Sequence, residues 1–73
     1  MSMKVKIKPK QLLTVMAKRN MSQNALAREV GITSGHFSQM LTGLKCPGPD
    51  YRQRLMDSSG LAWDDLFEIV EAA

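Results

Sequence analysis

Residues 22–43 carry two sets of helix start and stop signals in immediate succession, and no other feature of the chain constrains its fold as much. Ser22 stands where an N-cap hydroxyl accepts a free backbone N–H one turn into a helix. Ala25, Leu26 and Val30 follow at helical spacing, and Gly31 ends the segment, because glycine tolerates the left-handed conformation of a helix C-terminus. Thr33 opens the next helix, over 33–41, with Phe37, Met40 and Leu41 at helical spacing and Gly43 as its stop. So little chain separates the two that they must meet at a steep angle around a tight turn. Ala27 is small enough for such a crossing, and Ile32 plugs the gap beneath the turn. Phe37 and Met40 then anchor the later helix inward, which leaves Ser34, Gly35, Ser38 and Gln39 facing out.

The flanking sequence predicts three further helices. Pro9 suits a first helical turn, where its missing N–H costs nothing, and Leu12, Leu13, Val15 and Met16 then form an apolar face that stops near Asn20. Cys46-Pro47-Gly48-Pro49 reads as a turn; beyond it Tyr51, Leu55 and Met56 mark a fourth helix ending at Ser58-Ser59-Gly60. Trp63, Leu66, Phe67, Ile69 and Val70 lie along a fifth, with Asp64, Asp65, Glu68 and Glu71 on its wet side. Residues 1–8 alternate like a strand at Val5-Lys6-Ile7-Lys8, but the run is too short to stand alone and reads as a basic arm, ordered either on DNA or by pairing with a neighbour. The expectation is an all-α domain of five helices over 9–73, preceded by an arm over 1–8. Seventy-three residues make one domain with a small core, so close packing or a partner copy must supply much of the stability.

Charge is distributed unevenly. Residues 1–28 hold Lys4, Lys6, Lys8, Lys10, Lys18, Arg19 and Arg28 without an acid, a charge of +7; the remainder carries three bases against seven acids, or −4, giving the net +3. A basic front and an acidic rear suit a chain that turns one face to a polyanion. Several classes fall away. A single cysteine, Cys46, forms no internal disulfide, which fits a reducing, cytoplasmic setting, and it reads as a small packing residue in a turn. Cys46 and His36 are single copies, too few for a zinc site, and no cofactor is expected. No apolar run approaches the ~20 residues of a membrane span. Paired carboxylates or a nucleophile with its base are not assignable, so the chain does not read as an enzyme.

Ser22-Gln23 at the start of the second helix, Leu26-Ala27 within it and Gly31 at the turn resemble the pattern of the lambda repressor/Cro-like (XRE) family of helix-turn-helix DNA-binding domains. The resemblance runs over residues 12–67 and includes the closing Gly60-Leu61-Ala62-Trp63-Asp64-Asp65-Leu66-Phe67. It implies sequence-specific binding of double-stranded DNA by a transcriptional regulator, a prokaryotic or phage repressor, whose third helix enters the major groove.

The same resemblance implies roles for particular residues. Ser34, Gly35, Ser38 and Gln39 take the base-contacting positions, and the Gln39 amide suits a bidentate pair with adenine. Gln23 and Asn24 at the second helix's N-terminus, His36, and Thr42 and Lys45 beyond the third helix take phosphate positions. His36 is otherwise merely solvated. Lys4, Lys6, Lys8 and Lys10 form either a minor-groove arm or a solvated tail. Ser34 is short and Gly35 has no side chain, so specificity must lean partly on DNA shape. Binding as a homodimer to a palindromic operator is implied, with Trp63, Phe67 and Val70 of the fifth helix as the interface unless the monomer core consumes them. No small-molecule effector is evident. The competing reading is a protein-interaction module, such as an antitoxin-like adaptor, that kept the fold without specific DNA binding; the absence of acids between Ser34 and Lys45 favours the DNA reading.

Overall fold

The computed structural model describes residues 2–72; Met1 and Ala73, the outer ends of the expected arm and domain, lie outside it. The order of elements is β1 (Ser2–Ile7), α1 (Pro9–Lys18), α2 (Gln23–Val30), α3 (Ser34–Thr42), α4 (Pro49–Ser59), α5 (Trp63–Leu66) and β2 (Phe67–Ala72). Five helices therefore form as expected, but the fold is not all-α, because β1 and β2 pair as an antiparallel ribbon. The core gathers Leu12 and Met16 of α1, Leu26, Ala27 and Val30 of α2, Phe37 and Met40 of α3, Leu55 of α4 and Leu66 of α5. Ile7 and Phe67 close it from the ribbon.

Both ends of the chain differ from the five-helix expectation. The strand-like basic arm is ordered by pairing within the domain, and the expected long fifth helix is a single turn. Phe67 is already extended, at φ −130° and ψ 160°, and the chain runs on as Phe67-Glu68-Ile69-Val70-Glu71-Ala72. Trp63, Leu66, Phe67 and Val70 fit a helical period; the β-branched pair Ile69-Val70 also favours a pleated strand when a partner is at hand. Val5-Lys6-Ile7 is that partner. Its register sets Ile7 opposite Phe67, Val5 opposite Ile69 and Lys6 opposite Glu68, so apolar side chains face each other and unlike charges meet. The Lys8 N–H extends the ladder to the Leu66 carbonyl at 2.7 Å, and the Lys8 ammonium donates to the Asp64 carbonyl at 2.6 Å.

The helix boundaries follow the punctuation closely. Asn20 ends the first helical segment with a positive φ, 55°, as a C-terminal stop would. On α1 only Leu12 and Met16 are buried; Val15 is half-buried, and Leu13, expected on the apolar face, is exposed. Arg19 reaches across the domain to donate to the carbonyls of Ser58 (2.5 Å) and Ser59 (3.2 Å), putting a cation on the electronegative C-terminal end of α4. Cys46 is exposed, contrary to the expected packing role, because Pro47 beside it fills the buried position of the turn.

Candidate nucleic-acid interface

Local chemistry fixes the unit α2–turn–α3. The Ser22 hydroxyl accepts the Ala25 N–H at 3.0 Å, starting α2. At the other end Gly31 takes φ 86°, and its N–H reaches the Ala27 carbonyl at 2.9 Å while the Ile32 N–H reaches the same oxygen at 2.9 Å. Two of the carbonyls that every helix end leaves orphaned are satisfied, since Gly31 also approaches that of Arg28. Thr33 then caps α3, its hydroxyl accepting the His36 N–H at 3.2 Å. Ala27 of α2 is buried in the core.

Burial divides α3 into two faces. Phe37 and Met40 are fully buried, whereas Ser34, Gly35 and Gln39 are exposed and Ser38 is half-buried. A side chain at Gly35 would meet open space, so no neighbour within the domain requires a glycine there. That glycine sits in the first turn of a helix, where it costs up to ~1 kcal/mol relative to alanine. At the far end Thr42 turns its hydroxyl to the Gln39 carbonyl at 3.2 Å, and the Lys45 N–H reaches the same oxygen at 3.1 Å, leaving the Lys45 ammonium exposed. Gln23 and Asn24 occupy the first two positions of α2, the former half-buried and the latter exposed.

The four lysines expected in an arm are held in different places. Lys8 is tied to α5, and Lys10 is exposed in the first turn of α1. Lys4 and Lys6 lie two apart on β1 and so share one face of the ribbon. The Lys6 Nζ lies 3.7 Å from where a Cβ on Gly43 would sit, which brings a β1 lysine to the C-terminal end of α3. A shallow groove of about 410 Å³ between the end of α2 and α4 is lined by Glu29, Val30, Arg54, Asp57 and Ser58.

The sequence of the chain matches the profile of the Cro/C1-type helix-turn-helix DNA-binding domain over residues 11–71. The chain belongs to this family. Among curated proteins and among solved structures, none matches it. A Cro/C1-type domain is a DNA-binding module, and the matched stretch runs from α1 through α2 and α3 into β2. No helix among the described residues is long and apolar enough to cross a membrane.

Several residues of this Cro/C1-type domain occupy places that sequence reasoning missed. His36, expected at phosphate or in solvent, is half-buried, its ring edge-on to Tyr51 with centroids 5.6 Å apart and planes at 87°. The Arg54 guanidinium carbon lies 5.4 Å from the centroid of the same tyrosine ring; Arg54 also pairs with Asp50 at 3.1 Å and donates to the Val30 carbonyl at 3.4 Å. The Asp50–Arg54 spacing of four was a visible signal for a helical ion pair. Nothing in the sequence showed that Arg54 would lie against a ring of its own helix that packs on His36 of α3. Of the residues expected at a dimer interface, Phe67 is only 1% exposed and is spent on the monomer core, while Trp63 and Val70 are half-buried. Ile69, on the opposite face of β2 from Val70, is 57% exposed.

Proposed function

We propose that this domain binds double-stranded DNA sequence-specifically as a transcriptional repressor, with α3 laid in the major groove. The supporting observation is the outward face of α3. Ser34, Gly35, Ser38 and Gln39 form a small, polar, acid-free strip on a helix whose opposite face is locked into the core by Phe37 and Met40. In this reading Gln39 reads a base edge, its amide matching the donor and acceptor of adenine, and Ser34 and Ser38 reach bases directly or through water. Gly35 lets the helix backbone come close to the groove. Phosphate contacts fall to Gln23 and Asn24 at the positive end of α2 and to Thr42 and Lys45 beyond α3; His36, packed on Tyr51, is left out of that set.

The β1 lysines keep a role in this proposal, but as a ribbon edge held beside α3. Lys6 lies by Gly43, and Lys4 shares its face, so the two extend the basic surface past the end of the recognition helix. The domain works as a homodimer on a palindromic operator, with half-sites about one helical turn apart. Because Phe67 is buried in the monomer, the dimer surface falls to Trp63, which packs on Phe67, and to exposed Ile69 on the same face of β2; Val70 lies on the other face, opposite Lys4.

Titration of the protein against mixed-sequence duplex at two salt concentrations, followed by selection from a randomised duplex pool, tests the reading. Expected are affinity that falls steeply with salt, one enriched palindromic sequence, and loss of that preference in Gln39→Ala with Lys45→Ala. A folded protein that binds no duplex at low salt would refute it.

A further inference from the structure

Beyond the Thr33 cap, few side chains anchor the first turn of α3. Ser34 is exposed, Gly35 has no side chain, and the buried anchors begin only at Phe37. His36 is the residue of that turn that packs on another helix, and it packs on one ring, that of Tyr51. The ring itself is held. Arg54 lies against it, bonded to Asp50 on its own helix and to the Val30 carbonyl at the end of α2. Tyr51 thus stands where the end of α2, the start of α3 and the start of α4 converge. The bend between α2 and α3 lies beside the same cluster, since a Cβ on Gly31 would come within 3.2 Å of the Arg54 Nη1.

We infer that Tyr51 is a positioning residue for DNA reading: through His36 it sets the angle at which the first turn of α3 meets the groove. The inference rests on the major-groove reading above. Base-edge hydrogen bonds weaken steeply with distance and angle, so they depend on where the N-terminal turn of a recognition helix points. Phosphate contacts by lysine and by helix ends are long-range and forgiving by comparison. Loosening the brace therefore costs discrimination between sequences while leaving general affinity in place. The interactions described are those of the ring, so phenylalanine should serve as well as tyrosine.

The test compares wild type, Tyr51→Phe and Tyr51→Leu, each first shown to be folded, on the duplex that wild type selects from a random pool and on mixed-sequence duplex. For Tyr51→Leu the expected result is about a fivefold loss of affinity for the selected duplex, the worth of one edge-on aromatic pair. Mixed-sequence affinity and its salt slope should stay within about twofold of wild type, and Tyr51→Phe should match wild type on both duplexes. Without DNA, amide exchange at Phe37, whose N–H bonds to the Thr33 carbonyl at 3.0 Å, should quicken in Tyr51→Leu and in His36→Ala; exchange at Gly31, bonded to Ala27, should not. If Tyr51→Leu fails to fold, His36→Ala carries the same DNA comparison. Equal losses on both duplexes, or unchanged exchange at Phe37, overturn the inference. A wild type that selects no sequence overturns the DNA-reading proposal itself, whereas a wild type that selects and a Tyr51→Leu that discriminates equally well overturn this inference alone.

Discussion

Gly35→Ala separates what the fold needs from what the proposed DNA contact needs. Gly35 is exposed in the first turn of α3, its φ is not left-handed, and a methyl group there meets open space. Alanine enters without a clash, lowers the entropy of the unfolded chain and restores helix propensity. A compatible replacement of this kind is worth about 0.4–1 kcal/mol, and a first-turn position takes the lower half of that range. For a domain of this size the melting temperature should rise by about 2–4 °C, read by circular dichroism in the absence of DNA. In the proposed complex the same methyl would lie between the helix and the groove. We expect affinity for the selected duplex to fall about tenfold, or ~1.4 kcal/mol, with mixed-sequence affinity within about twofold of wild type. A melting temperature that stays or falls would refute the stability argument. Higher stability together with equal or better affinity for the selected duplex would show that this glycine does not serve close approach.

Three further substitutions probe the scaffold. Gly31→Ala, the same change four residues upstream, should destabilise by at least about 1–2 kcal/mol in urea unfolding, because φ is 86° there and the new Cβ would crowd Arg54 at 3.2 Å. Ile7→Ala should cost about 2–4 kcal/mol by the same assay, since Ile7 is buried opposite Phe67; a free arm would lose nothing. Arg19→Met should remove about 1 kcal/mol, as two bonds to the α4 carbonyls are lost, and the deficit should shrink at high salt if the charge on the helix end matters. A deficit independent of salt would assign the effect to packing of the arginine stem.

Legibility of this chain depended on how local each signal was. Ser22, Gly31, Thr33 and Gly43 act on backbone groups within four residues of themselves, and each appears in the structure where its chemistry puts it. The outward strip Ser34, Gly35 and Gln39 was readable for the same reason: helical period alone separates it from Phe37 and Met40. Tyr51 and Arg54 were not readable as part of the site. Their role depends on which helix α4 crosses and where, and no spacing within α4 encodes that.

The ends of the chain show the same division from the other side. Residues 67–71 carry a pattern compatible with either a helix or a strand, and residues 2–7 carry one too short to form a strand alone. Each ambiguity is resolved only by the other, across sixty residues of chain, when Val5-Lys6-Ile7 pairs with Phe67-Glu68-Ile69. The pairing also changes what each segment can do. Phe67 becomes core, and this removes the centre of the expected helical dimer face. Lys6, no longer on a free arm, is carried to the foot of α3 and held there by a partner strand whose own base is buried. A lysine so placed loses less conformational freedom on meeting a phosphate than one on a loose arm, so its contribution to binding should be larger than that of exposed Lys10. Separate Lys6→Ala and Lys10→Ala variants, compared on mixed-sequence duplex at low salt, check this: the Lys6 change should weaken binding more, and equal losses would mean that the ribbon confers no advantage.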